Sequence, residues 1–123
     1  MPNYRRAAIA ILFLTATPAA AQPTAVAIDV TNFAFAPSPL HLAAGRPVTL
    51  TFVNRSSSRH DFTARTFFAS SAIAGAAPAG GKIELAGHQS RSITLTPRAG
   101  SYTAHCGRFM HKQFGMSAQI VVH

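Results

Sequence analysis

Apolar residues recur at every second position in short runs, and proline or glycine ends each run before a helical period can be established. Val26, Ile28 and Val30 alternate with Ala27, Asp29 and Thr31, and Phe33 and Phe35 read as an extension of that run up to Pro37 and Pro39. Leu40 and Leu42 flank His41 and lead into the turn signal Ala44-Gly45-Arg46-Pro47. Val48, Leu50 and Phe52 interleave with Thr49, Thr51 and Val53. Ile83 with Leu85 and Ile93 with Leu95 flank a turn at Gly87, and Tyr102, Ala104 and Cys106 fall in phase after the turn Pro97–Gly100. A final run covers Ser117–Val122. A period of two places alternate side chains on one face of a pleated strand, so seven or so short strands with turns between them predict an all-β antiparallel sandwich. The segment Thr66–Gly81 departs from this pattern. It is rich in Ala, Gly and Ser, and its two adjacent phenylalanines predict a short helix near residues 67–74 or a long crossover. The chain of 123 residues is long enough for one domain and has nine phenylalanines to fill a core. Its single cysteine excludes an internal disulfide scaffold.

The first 21 residues carry a different pattern. Arg5-Arg6 precedes an apolar run from Ala7 to Ala16, and the segment closes on Ala19-Ala20-Ala21. A basic start, a short apolar middle and small residues before a cleavage point describe a secretory signal peptide covering residues 1–21. The apolar run is about half of what a bilayer span requires, so no membrane span is expected. The surroundings of Arg5-Arg6 fit ordinary secretion better than twin-arginine export. The mature domain is then residues 22–123, exported to the periplasm or beyond. Loss of Arg5 and Arg6 leaves nine basic against three acidic residues, a net charge of +6. That balance suits a protein partner with an acidic docking surface. The arginines are scattered and the compartment is wrong for nucleic acid, which is not expected as a partner. A monomer is expected.

One constellation carries chemistry. The segment Tyr102-Thr103-Ala104-His105-Cys106-Gly107-Arg108-Phe109-Met110-His111-Lys112-Gln113-Phe114-Gly115-Met116 sets a thiol, an imidazole and a thioether at spacing C-x4-H-x4-M on a loop between two strands. A second imidazole, His60, follows the strand Val48–Asn54 and a short polar connection. One Cys, two His and one Met are the donor set of a trigonal copper site with a long axial thioether. The soft thiolate suits Cu(I), and imidazole suits both oxidation states. In an exported protein an unpaired thiol is an oxidation liability unless something occupies it.

With Phe33-x-Phe35-x-Pro37, Gly45, the strand through Phe52 to Asn54, His60-Asp61-Phe62, and Tyr102, Cys106, His111 and Gly115-Met116 before a last apolar strand, the mature chain resembles the cupredoxins. These are type 1 blue copper proteins of the plastocyanin, pseudoazurin and azurin kind. The resemblance implies a Greek-key β-sandwich that holds one copper per chain. It implies His60, Cys106 and His111 as the equatorial ligands and Met116 as the axial one. It also implies an electron carrier rather than an enzyme, serving a redox partner protein. Two departures stand out: the four-residue gap from Cys106 to His111 is longer than in plastocyanin, and Asp61 stands where asparagine is common. The alternative function is copper binding and delivery with the same fold and ligands. The chain has no methionine cluster of the kind that transfer proteins expose, which favours electron transfer.

Bland readings compete residue by residue. A lone cysteine is most often a small buried hydrophobe, and Met116 taken alone reads as core. His60 alone reads as a capping or surface histidine. His105 neighbours Cys106 in a strand, so its side chain is expected on the opposite face, and Met110 is a rival to Met116 for the axial position. His41, His88 and His123 show no ligand spacing and read as solvent-facing. A cysteine hydrolase lacks an orienting group and gives Met116 no role, a c-type haem would need C-x-x-C-H, and a structural zinc site would use more thiolates or histidines.

Overall fold

The computed structural model describes residues 2, 7–16, 22–108 and 116–123. Two five-stranded sheets face each other. β1 (Thr24–Val30), β2 (Phe35–Ala36), β4 (Val48–Asn54), β6 (Ala72–Ala74) and β8 (Ser90–Thr96) form one sheet in the order β2-β1-β4-β8-β6. β3 (Leu40–Leu42), β5 (His60–Thr63), β7 (Lys82–Leu85), β9 (Gly100–His105) and β10 (Ser117–Val122) form the other, in the order β3-β10-β9-β5-β7. The sandwich is the architecture that the alternating runs require. Strand β4 shows why: Val48, Leu50, Phe52 and Asn54 point inward and are buried, while the intervening residues are half-exposed. Burying each large apolar side chain of this kind contributes about 1.5–3 kcal/mol.

Three details differ from the sequence reading. Most strand pairs are antiparallel, but β1 pairs with β4 in parallel, from Thr24 opposite Val48 to Val30 opposite Asn54. β10 pairs with β3 in parallel as well. Alternation reports which residues face the core but carries no information on strand direction. The extension of β1 through Phe33 also fails. A turn closed by the Thr31 N–H on the Ala34 carbonyl (3.0 Å) separates β1 from β2, leaving Phe33 56% exposed while Phe35 is buried.

The short helix is present but displaced. α1 spans Arg65–Ser70 and inserts Phe67 and Phe68 into the core, while Ala72–Ala74 pair with Thr96, Leu95 and Thr94 as an edge strand. Ser70 Oγ donates to the Thr66 and Phe67 carbonyls, and Ser71 Oγ donates to Phe67 (2.7 Å). Hydroxyls that satisfy backbone acceptors in this way end helices, and pairing with β8 then overrides the helical propensity of the alanines.

Between the sheets lies one apolar core that runs from Ile28 to Val122 and includes Cys106 and Met116. At its centre the Phe62 ring contacts Phe35 edge-on at 5.2 Å, Phe52 at 4.7 Å and Phe68 at 6.3 Å between centroids. Residues 7–16 take no part in it: Ile9, Ile11, Leu12, Phe13 and Leu14 are all exposed. Among the described residues no helix is long and apolar enough to cross a membrane.

Candidate metal centre

Three neighbouring strands of the second sheet begin or end at the same edge. β5 starts at His60, β9 ends at His105 and β10 starts at Ser117. His105 is paired with Ser117 on one side and with Thr63 on the other. The β9–β10 ladder continues one step further, since the Cys106 N–H donates to the Met116 carbonyl at 3.1 Å. This pairing brings a cysteine and a methionine ten positions apart to facing places, with His60 at the head of the adjacent strand. His60, Cys106 and Met116 are all fully buried.

His60 is positioned from behind. Asn54, buried at the end of β4, donates through Nδ2 to the carbonyls of Ser58 (2.7 Å) and Ala86 (3.0 Å). Its Oδ1 accepts the Ser56 N–H (3.0 Å) and the Ser56 hydroxyl (2.8 Å). The connection 55–59 is thereby folded onto the turn at residues 86–89, where the His88 N–H also donates to Ser56 (2.9 Å). Gly87 is required at that contact, because a Cβ there would collide with the Ser57 carbonyl. Replacement of Asn54 by alanine takes one donor from each of the Ser58 and Ala86 carbonyls, which keep the Ser56 hydroxyl and the Gln89 N–H, and removes the acceptor of the Ser56 N–H. It is expected to cost about 1–3 kcal/mol of stability, read as a lower denaturant midpoint at unchanged slope. The imidazole itself stands 3.4 Å from Asn32 Oδ1 through Nε2. The tautomer that donates from Nε2 keeps its lone pair on Nδ1, which is how an outer partner fixes a ligating imidazole.

Cys106 is surrounded by Asp61. The Asp61 N–H points at Sγ from 3.5 Å, and the Cys106 thiol faces Asp61 Oδ2 at 3.9 Å. Oδ1 of the same carboxyl accepts the Gly107 N–H at 2.8 Å and the Thr63 hydroxyl at 2.6 Å. One buried side chain therefore ties β5 to the backbone just past Cys106. Burial pushes the Cys106 thiol up, backbone N–H groups of Asp61 and Arg108 oppose this, and the Asp61 charge adds to the rise. A buried neutral thiol must lose its proton before it can bind a metal, so uptake releases a proton.

The structure therefore brings His60, Cys106 and Met116 together. His111, Met110, Phe109, Lys112, Phe114 and Gly115 lie outside the described residues. His105 is half-buried next to buried Ala104 and Cys106, so its side chain leaves the core face as strand alternation requires. His41, His88 and His123 are exposed. Sequence reasoning missed Asn32, Asn54 and Thr63. Asn54 carried a signal, since a polar residue on the inward phase of β4 must find hydrogen-bond partners. Asn32 carried none.

Among the described residues no group of three or more His, Cys, Asp or Glu side chains is arranged to hold a metal. The donors gathered at this edge are instead of three kinds: thiol, imidazole and thioether. Two sulfur donors beside an imidazole fit copper better than a hard oxygen-seeking cation.

Comparison with known proteins agrees with this architecture. Among solved structures the chain is similar to dithionite-reduced auracyanin from Roseiflexus castenholzii, at 21% identity and a TM-score of 0.62, over 85% of this chain and 99% of that one. Auracyanin A from Chloroflexus aurantiacus, a "blue" copper protein, matches at 21% identity and 0.61, over 83% and 100%. A reduced variant of amicyanin matches at 26% identity and 0.52, over 80% and 82%. The fold also recurs in part of a multicopper oxidase from Campylobacter jejuni, at 13% identity and 0.62, over 88% of this chain but 32% of that one. A search of curated protein sequences gives no match. The family description "cupredoxin-like domain" matches residues 5–122, and by that match, on this sandwich, the chain belongs to the cupredoxin-like family.

Proposed function

We propose that residues 22–123 form an exported carrier of single electrons, holding one copper ion through His60, Cys106 and His111 with Met116 as the axial ligand. The observation that carries this reading is the meeting of buried Cys106 and Met116 across the β9–β10 ladder, with His60 heading the next strand. Copper, when bound, supplies the one-electron Cu(II)/Cu(I) couple. Everything else is the work of the chain. Strand pairing fixes Cys106 and Met116 before any metal arrives, Asn32 and the Asn54 network hold the His60 ring, and Asp61 locks the sulfur-bearing strand to β5. A scaffold held in this way resists rearrangement between oxidation states, which is what rapid electron exchange requires. His111 and the apolar residues around it would form the contact surface. Exposed Arg59 and Arg108 beside the site favour an acidic partner.

Residues 1–21 serve in this proposal as the secretory signal, and the chain is not an enzyme in its own right. Delivery of copper to another protein is the competing use of the same site. Complete burial of the two sulfur donors favours retention over hand-over. Voltammetry with copper measured before and after cycling decides between them. A reversible wave with the metal retained is expected. Stoichiometric copper loss on reduction, without a reversible wave, would establish delivery instead.

A further inference from the structure

His41 and His123 are 82 positions apart in sequence and adjacent in space. β3 and β10 run parallel, with His41 opposite Val121, so His123 projects from the same face two residues further along. Both side chains are exposed, while Leu42 and Val122, between them in phase, are buried. The backbone there is held by the His123 N–H donating to the Leu42 carbonyl and the Ala44 N–H donating to the His123 carbonyl, each at 3.1 Å. The two imidazole centroids stand 5.4 Å apart, with the ring planes inclined at 57°.

We propose that His41 and His123 form a second metal site, a two-imidazole clip for a divalent cation of the Cu(II) or Zn(II) class. A metal lies about 2.0–2.1 Å from an imidazole nitrogen, hence roughly 3.2 Å from the ring centroid. Two rings on one tetrahedral ion therefore stand roughly 5.2 Å apart, close to the separation seen. The inclination matters too, because imidazoles stacked in parallel cannot aim nitrogens at one point. Two ligands come from the protein and the others from water, as exposure permits. Arg46 lies at the same rim, beside His41 and Pro47, and its charge weakens the site without removing a donor. Of the first-row divalent ions Cu(II) binds such nitrogen donors most tightly. The pair lies at the end of β10 opposite Met116, so it does not depend on the copper centre proposed above.

The test is Cu(II) titration of the full chain carrying Cys106→Ser, followed by electron paramagnetic resonance. One Cu(II) with nitrogen couplings and no thiolate character is expected. Its affinity should fall at least tenfold in His41→Ala and in His123→Ala, and remain unchanged in His88→Ala, which removes another exposed histidine. All three substitutions are at the surface, and circular dichroism checks that the fold survives. Equal affinity in His41→Ala, or an equal loss in His88→Ala, would overturn the proposal.

Discussion

Replacing Cys106 with serine is expected to abolish the intense visible absorption that appears when Cu(II) is added to the native chain. That absorption is a sulfur-to-copper charge transfer, and an alkoxide or hydroxyl offers no filled sulfur orbital at comparable energy. Copper affinity should fall with it, since the proposed site would be left with two imidazoles and a thioether. The fold should persist, because serine conserves shape and the Cys106 backbone N–H keeps its bond to Met116. The measurement is the visible spectrum at one equivalent of Cu(II), with thermal unfolding of both proteins as the control. A native chain that binds copper without colour, or a serine variant that keeps the colour, would remove the thiolate from the site.

The second large effect concerns Asp61. Its Oδ1 accepts from Gly107 and Thr63, so Oδ2 is the atom left facing the Cys106 sulfur, at 3.9 Å. An asparagine in the same pose would keep both bonds at Oδ1 and turn an NH2 donor toward the sulfur instead. The native carboxylate makes the sulfur more electron-rich and favours Cu(II), whereas the amide would favour Cu(I). A unit charge at this distance is worth about 4 kcal/mol at an effective dielectric constant near 20, and the copper lies beyond the sulfur. Asp61→Asn should therefore raise the reduction potential by on the order of 100 mV, taking ~59 mV per tenfold change for one electron. Because the amide preserves the link between β5 and Gly107, stability should change little. A potential that stays fixed or falls would show that the Asp61 charge is neutralised in the loaded protein.

The inward-facing residues were the readable part of the fold. Leu50, Phe52, Ile93, Leu95, Ala104 and Cys106 all lie in the core, because burial leaves a period-two imprint on every strand it touches. The imprint is silent about neighbours. Nothing in Val26-x-Ile28-x-Val30 says that β1 lies parallel to β4, since direction is set by the connections and by the opposite sheet. Ala72–Ala74 show the limit in the other direction: two alanines with helical preference, flanking Ile73, became a strand because β8 offered an unpaired edge. The same holds at the candidate metal centre. Cys106 and Met116 were visible through their chemistry and spacing, whereas Asn32 became a neighbour of His60 only through the β1–β2 turn. His41 and His123 read as unrelated surface residues because a parallel pair joins segments that are distant along the chain.

That parallel pairing bears on how the protein assembles. In the second sheet β10 lies between β3 and β9, and among the described residues β3 has no other strand beside it. Its formation must therefore close a loop of about 80 residues, and β5 must find β9 across more than 40. Such non-local closures are the entropic bottleneck in folding, and sandwiches dominated by them fold in roughly milliseconds to seconds. The edge that carries Cys106 and Met116 exists only once β9 and β10 are joined. The proposed donors therefore come together only through this topology, so a metal held by them would depend on sheets that have already closed.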